Sequence, residues 1–115
     1  MWLSDSNIRI WLYSQPTDMR KSFKGLSGLV RNVLEENPLS GSLFVFVNRR
    51  RTHIKILYFD GSGYCIWMKR LEQGCFQTPT DDYRSIELDR TTLTLMLDGI
   101  DLNSVKKRKR FQLKK

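Results

Sequence analysis

Between Leu43 and Arg70 the chain offers three strand-like segments with almost no room between them. LFVFV and HIKILYF are separated by Asn48-Arg49-Arg50-Arg51-Thr52, and YCIWMKR follows Asp60-Gly61-Ser62-Gly63. Connections this short join only antiparallel neighbours, because a parallel crossover needs a dozen or more residues. The glycines of the second connection supply the positive backbone dihedrals of a tight hairpin. The spacing therefore predicts a three-stranded meander over about 43–70. In its first strand both side-chain rows are apolar, Leu43, Val45 and Val47 against Phe44 and Phe46, which places it centrally in a sheet covered on two sides. Antiparallel pairing brings Lys69 and Arg70 alongside His53 and Lys55, so positive charge collects near the end where Arg49, Arg50 and Arg51 form the hairpin tip.

Upstream, NIRIWLY over Asn7 to Tyr13 alternates with period two and reads as a strand ended by Ser14-Gln15-Pro16. Thr17 or Asp18 then caps a helix running to about Glu36, stopped by Asn37-Pro38. Met19, Phe23, Leu26, Val30 and Val33 fall on one face of that helix. Close packing against a neighbour accounts for Gly25 and Gly28 within it, each costing about 1 kcal/mol relative to alanine. Residues 71–83 read as a loop, Ser85 to Leu88 as a short strand, and Asp89 as the cap of a short helix over about 89–98 with Leu93, Met96 and Leu97 inward and Gly99 as its stop. The expected class is α+β: a mainly antiparallel sheet with the meander, one long helix over about 18–36 and a short C-terminal helix. With 115 residues and 40% hydrophobic content, residues 1–105 suffice for one domain, and 106–115 read as a basic, flexible tail.

The net charge of +8 divides unevenly. Residues 18–70 carry ten Lys or Arg against four acids, residues 71–105 two against seven, and the last ten residues seven cations and no acid. Without the tail the chain is almost neutral, so DNA affinity has to be judged from the basic segment 18–70 rather than from the bulk isoelectric point. No window approaches the roughly 18 apolar residues of a membrane span, and MWLSDSNIRIW lacks the pattern of a signal peptide. The expected location is the cytoplasm. Cys65 and Cys75 have no metal-type spacing and read as buried free thiols.

Three adjacent arginines at a hairpin tip repel one another and present many hydrogen-bond donors in a small space, an arrangement suited to a polyanion. The candidate DNA-binding set is Arg49, Arg50 and Arg51 with His53, Lys55, Lys69 and Arg70 on the sheet and Arg20, Lys21 and Lys24 on the first helix. Keeping a sheet edge soluble is the plain structural use of such charges. Phosphate contacts of this kind position a protein on DNA without reading bases. Catalysis is not indicated: Asp18 and Asp89 read as caps, Asp60 as a turn residue and Asp81-Asp82 as loop residues, which leaves no carboxylate set for metal-assisted phosphodiester cleavage. His53, the sole histidine, has no serine or cysteine placed for it to activate. We expect no metal and no cofactor. Trp67, Tyr58 and Phe46 lie inside apolar strand patterns and read as core rather than as a stacking platform for bases.

TDMRKSFKGL at 17–26, LFVFVNRRRTHIKILYFDGSGYCIWMKRLEQGCF at 43–76 and LMLDGID at 95–101 together resemble the small accessory protein of bacterial insertion sequences of the sixty-six family, encoded beside the large transposase. The resemblance covers about residues 7–102, in order and with matching gaps. Cys65, Cys75 and the basic tail depart from the pattern. It implies a helper role in transposition, distinct from the catalytic transposase, and supplies no catalytic residue. Two partners follow as expectations: DNA, held through the basic hairpin and helix, or, in the alternative, the element's transposase or another element-encoded protein, held through the acidic stretch Glu72 to Asp101 or exposed aromatics.

Overall fold

A computed structural model describes residues 7–79 and 83–99. The loop acids Asp81 and Asp82, Asp101 at the end of the acidic stretch, and the tail Lys106 to Lys115 lie outside the described residues. The elements run β1 (Ile10–Tyr13), α1 (Phe23–Asn32), β2 (Leu43–Val47), β3 (His53–Phe59), β4 (Tyr64–Arg70), β5 (Ser85–Leu88) and α2 (Arg90–Leu97). The five strands form one sheet in the order β4-β3-β2-β1-β5.

Two features correct the expected α+β class. The sheet is mixed: β1 and β2 pair in parallel, Ile10 opposite Leu43 and Leu12 opposite Val45, so β1-α1-β2 is a crossover unit. Pairings β1 to β5, β2 to β3 and β3 to β4 are antiparallel. Nor is there one long helix over 18–36, because α1 has only 10 residues. The segment before α1 is a turn, in which the Asp18 carboxylate accepts the Arg20 backbone N–H (2.9 Å) and the Asp18 carbonyl accepts that of Lys21 (3.1 Å). Ser22, not Thr17 or Asp18, stands at the N-cap, with φ −121° and ψ −151°. An aspartate side chain that bonds its own neighbouring backbone offers the chain an alternative to the helix. At the other end Glu35 adopts φ +57°, the left-handed conformation that closes a helix, and the Glu36 N–H reaches back to the Val30 carbonyl.

All five residues of β2 are buried, which requires a layer on each face of the sheet. On one face Phe44, Phe46 and Leu57 pack with Leu26, Val30 and Leu34 of α1 and the turn that follows it. On the other, Val45, Val47, Ile54 and Ile56 meet Phe76 and the Leu93, Met96 and Leu97 face of α2. Complete burial of Phe44 and Phe46 stabilises the fold by about 2–3 kcal/mol each. Phe23, expected inward, is 47% exposed. Both thiols, expected buried, are free and half-buried. The caps at the C-terminal helix do follow the sequence: the Asp89 carboxylate accepts the Thr92 N–H (2.7 Å), and Gly99, at φ +71°, closes α2.

The helical glycines differ from each other. A Cβ at Gly25 would lie 3.2 Å from Lys21 Cβ and Cγ, whereas one at Gly28 would meet no heavy atom within 4 Å. Close packing therefore explains the first and not the second. Gly28→Ala should raise stability by about 0.5–1 kcal/mol, read as a higher urea midpoint at unchanged slope.

Candidate nucleic-acid interface

The sheet end built from the tip between β2 and β3 is rigidly held, and Asn48 is the reason. Its Oδ1 accepts the N–H groups of Thr52 (2.9 Å) and His53 (3.0 Å), while its Nδ2 donates to Thr52 Oγ1 (3.1 Å). Its own carbonyl accepts the Arg51 N–H at 3.0 Å. An asparagine opening a turn does this because its short amide mimics a backbone peptide. Arg51 completes the tip at φ +59°, a left-handed conformation that costs a non-glycine residue on the order of 1 kcal/mol or more. That geometry is tied down from outside, since the Arg51 carbonyl accepts the Phe76 N–H at 2.7 Å and the Thr52 carbonyl that of Leu71 at 2.9 Å.

The ten candidate residues divide into those the fold employs and those it leaves to solvent. Lys55, half-buried, donates to the carbonyls of Met19 and Lys21, both at 2.8 Å, and so ties the Thr17–Ser22 turn onto the sheet. Lys69 donates to the Leu97 carbonyl at the C-terminus of α2, where the helix dipole favours a cation. His53 Nδ1 lies 2.9 Å from Thr52 Oγ1 and 3.3 Å from Asn48 Nδ2, within the turn's own network. Arg70 pairs with Glu72 at 2.7 Å and Arg20 with Asp18 at 2.7 Å, both on the surface. Arg49, Arg50 and Arg51 are exposed, and their guanidinium groups have no hydrogen-bond or ion-pair partner among the described residues; the same holds for the ammonium groups of Lys21 and Lys24.

Two clefts flank the tip. One, of about 190 Å³, opens at the carboxyl ends of the parallel pair β1 and β2, lined by Gln15, Pro16, Arg49, Arg51, Thr78 and Pro79 among others. The second, of about 490 Å³, lies between the Pro16–Met19 turn and Asn48, Arg49 and Arg50. The turn is moored there by the Thr17 N–H, which donates to the Val47 carbonyl at 2.9 Å. Thr17 is 4% exposed and its Oγ1 has no partner among the described residues. Sequence reasoning offered Thr17 only as a helix cap and gave the residues at 78–79 no part in the site. An asparagine ahead of a run of arginines was the one signal that could have identified Asn48.

Asp18 lines the second cleft together with Arg49 and Arg50, and its state is set by Arg20. Hydrogen bonds from the Arg20 side chain, then from its backbone N–H, lower the Asp18 pKa to about 2. A carboxylate depressed in the folded state contributes stability in full above its unfolded pKa and loses it as pH falls through the folded value. The carboxyl carbon of Asp18 should accordingly titrate by NMR near pH 2, with the Arg20 Nε resonance moving in step.

These observations describe a small mixed-sheet domain with a preorganised basic tip. The chain belongs to the family of IS66 Orf2-like proteins, whose family model matches residues 8–107. Members are transposition-associated accessory proteins of insertion sequences. Among its relatives in Sinorhizobium fredii strain NBRC 101917 / NGR234, the chain is 40% identical to "Uncharacterized protein y4hO" over 98 residues, covering 85% of each chain. It is 33% identical to "Uncharacterized protein y4jC" over 101 residues, covering 88% of this chain and 86% of that one. No solved structure matches it. Among the described residues no helix is long and apolar enough to cross a membrane.

Proposed function

We propose that this protein acts without catalysis as a DNA-binding helper in transposition of its element, holding duplex phosphates with the Arg49-Arg50-Arg51 tip. The observation that carries the reading is the allocation of cations at this end of the sheet. Lys55 and Lys69 are committed to backbone carbonyls and Arg20 and Arg70 to carboxylates, yet three adjacent guanidiniums are kept free on a turn that is braced from two sides. Mutual repulsion and left-handed strain at Arg51 work against the fold, so the tip is better accounted for by a polyanionic ligand than by solubility alone. Lys21, exposed in the turn before α1, and Lys24 on α1 add further exposed cations. Phosphate contacts of this kind place the protein on DNA, and element ends are the natural substrate for a transposition helper.

A second reading, an adaptor that holds the transposase, is supported by Phe23 and Met68, 47% and 49% exposed and apolar. It differs in outcome. Replacing Arg49, Arg50 and Arg51 together by alanine should flatten the log–log salt dependence of duplex binding by about 2.7, at roughly 0.9 per phosphate contact, with the circular dichroism of the fold unchanged. In the adaptor reading the same variant binds transposase as the parent does and the salt slope does not move. Asp18→Asn should act in the opposite sense, releasing Arg20 and steepening the slope by about 0.9.

A further inference from the structure

We infer that two copies of this chain join through the outer edges of β4, antiparallel and about a two-fold axis at Trp67, so that their sheets become one. This goes beyond the DNA-binding reading and does not depend on it. Its basis is a difference between the two edges of the sheet. β5, at one edge, has only four residues and carries Glu87, ion-paired with Arg9 at 2.7 Å. Short edge strands and charged side chains are common means of keeping a sheet from pairing with another chain. β4, at the other edge, has seven residues, no proline, and an unbroken register against β3 from Tyr64 to Arg70. Lys69 within it is turned onto the Leu97 carbonyl, and Met68 beside it is 49% exposed.

Hydrogen bonding shows which backbone groups of β4 face outward. The Leu71 N–H donates to the Thr52 carbonyl and the Asp60 N–H to the Gly63 carbonyl, and both pairs continue the β3–β4 register. Opposed residues in an antiparallel ladder alternate between exchanging hydrogen bonds and exchanging none. The bonded positions of β4 are therefore Cys65, Trp67 and Lys69, and the backbone groups of Tyr64, Ile66, Met68 and Arg70 point away from β3. The Asn48 N–H on the His53 carbonyl gives the same phase from the other side, since it turns His53, Lys55 and Leu57 toward β2. Among the described residues no backbone group pairs with the outer row.

That row is complementary to itself. Pairing about Trp67 sets Ile66 opposite Met68 of the second copy and Tyr64 opposite Arg70, each twice by symmetry, so every outward position is used. A two-fold at Ile66 would leave Arg70 opposite the turn residue Ser62, and one at Met68 would set Tyr64 opposite Glu72, beyond the strand. Like charges never stand opposite one another in the Trp67 register. Apolar side chains meet at the centre, and an arginine meets an aromatic ring at each end. On the other face Trp67 lies against its own copy, and Lys69 against Cys65. An interface of this isologous kind closes at two copies.

The test is sedimentation equilibrium of the full-length protein without DNA, from about 1 to 100 μM, where the parent should show a reversible monomer–dimer equilibrium. Met68→Pro removes an N–H that takes no part in the β3–β4 ladder, and proline is accepted on an edge strand at such a position. It should raise the dissociation constant about thirtyfold, roughly fivefold for each of two symmetry-related hydrogen bonds. Met68→Lys, at the same exposed site, keeps the backbone intact and should also weaken the dimer, which covers the case of a proline variant whose circular dichroism is altered. Register is read separately: under mild oxidation Lys69→Cys should give a dimer linked through the second copy's Cys65, an opposed pair with Cα atoms about 4.5 Å apart. A parent that stays monomeric would overturn the inference and leave the edge to a strand of another protein. So would a parent dimer that Met68→Pro and Met68→Lys both leave unchanged.

Discussion

Burial of β2 on both faces is the constraint from which the rest of this architecture follows. Five consecutive apolar residues cannot face water on either side, so the strand needs partners on both edges and a layer over each face. Short connectors to β3 and β4 complete one flank. The other flank has to come from elsewhere in the chain, and β1, apolar on both rows with Ile10 and Leu12 on one side and Trp11 and Tyr13 on the other, is the segment that fits. Once β1 lies parallel to β2, the intervening chain must travel back along the sheet, and α1 covers the Phe44 and Phe46 face on the way. The opposite face is left for Phe76 and α2.

The same arrangement creates the functional end. Parallel strands β1 and β2 finish side by side, and the chain departs from them in different directions: into the Pro16–Ser22 turn from one and into the arginine tip from the other. A crevice outside the carboxyl ends of neighbouring strands is a recurrent place for ligands in α/β sheets. Here the two departing loops are moored to each other through the Thr17 N–H and the Val47 carbonyl, and the tip is held on its other side by Phe76 and Leu71. Positive charge is thus presented from a surface with little freedom left to lose. That matters because ordering a rotamer-rich side chain on binding costs about 0.5–1.5 kcal/mol each, and a fixed backbone limits the cost to the side chains themselves.

Much of the meander was legible because its signals are local. Strand alternation, a glycine-bearing turn and a connector too short for a crossover leave one solution, and the register that brings Arg70 opposite His53 follows from it. Asp89 and Gly99 were readable for the same reason, since a cap depends on residues within three or four positions. The helix expected over 18–36 failed because the apolar period continues through Met19 and Phe23 while a local competitor, the Asp18 carboxylate on the Arg20 N–H, takes the backbone out of helical geometry. A hydrophobic repeat shows which residues share a helical face only if the helix forms there. The candidate site was readable as composition and unreadable as allocation: ten basic residues look equivalent in sequence, yet Lys55 and Lys69 are fastened to carbonyls 34 and 28 residues away.

What the sequence determined by itself is therefore the local chemistry. It marked a central strand apolar on both faces, two tight hairpins, the cap and stop of the last helix, and a cluster of guanidiniums at one turn, each dictated by sterics, backbone hydrogen bonding or charge within a few residues. Tertiary structure alone decided that β1 would run parallel to β2, that Phe76 and Leu71 would brace the tip from outside, and which cations would remain free. Those outcomes depend on which distant surfaces meet, and pairing between remote segments is set by the sum of burial over the whole chain rather than by any short run of residues.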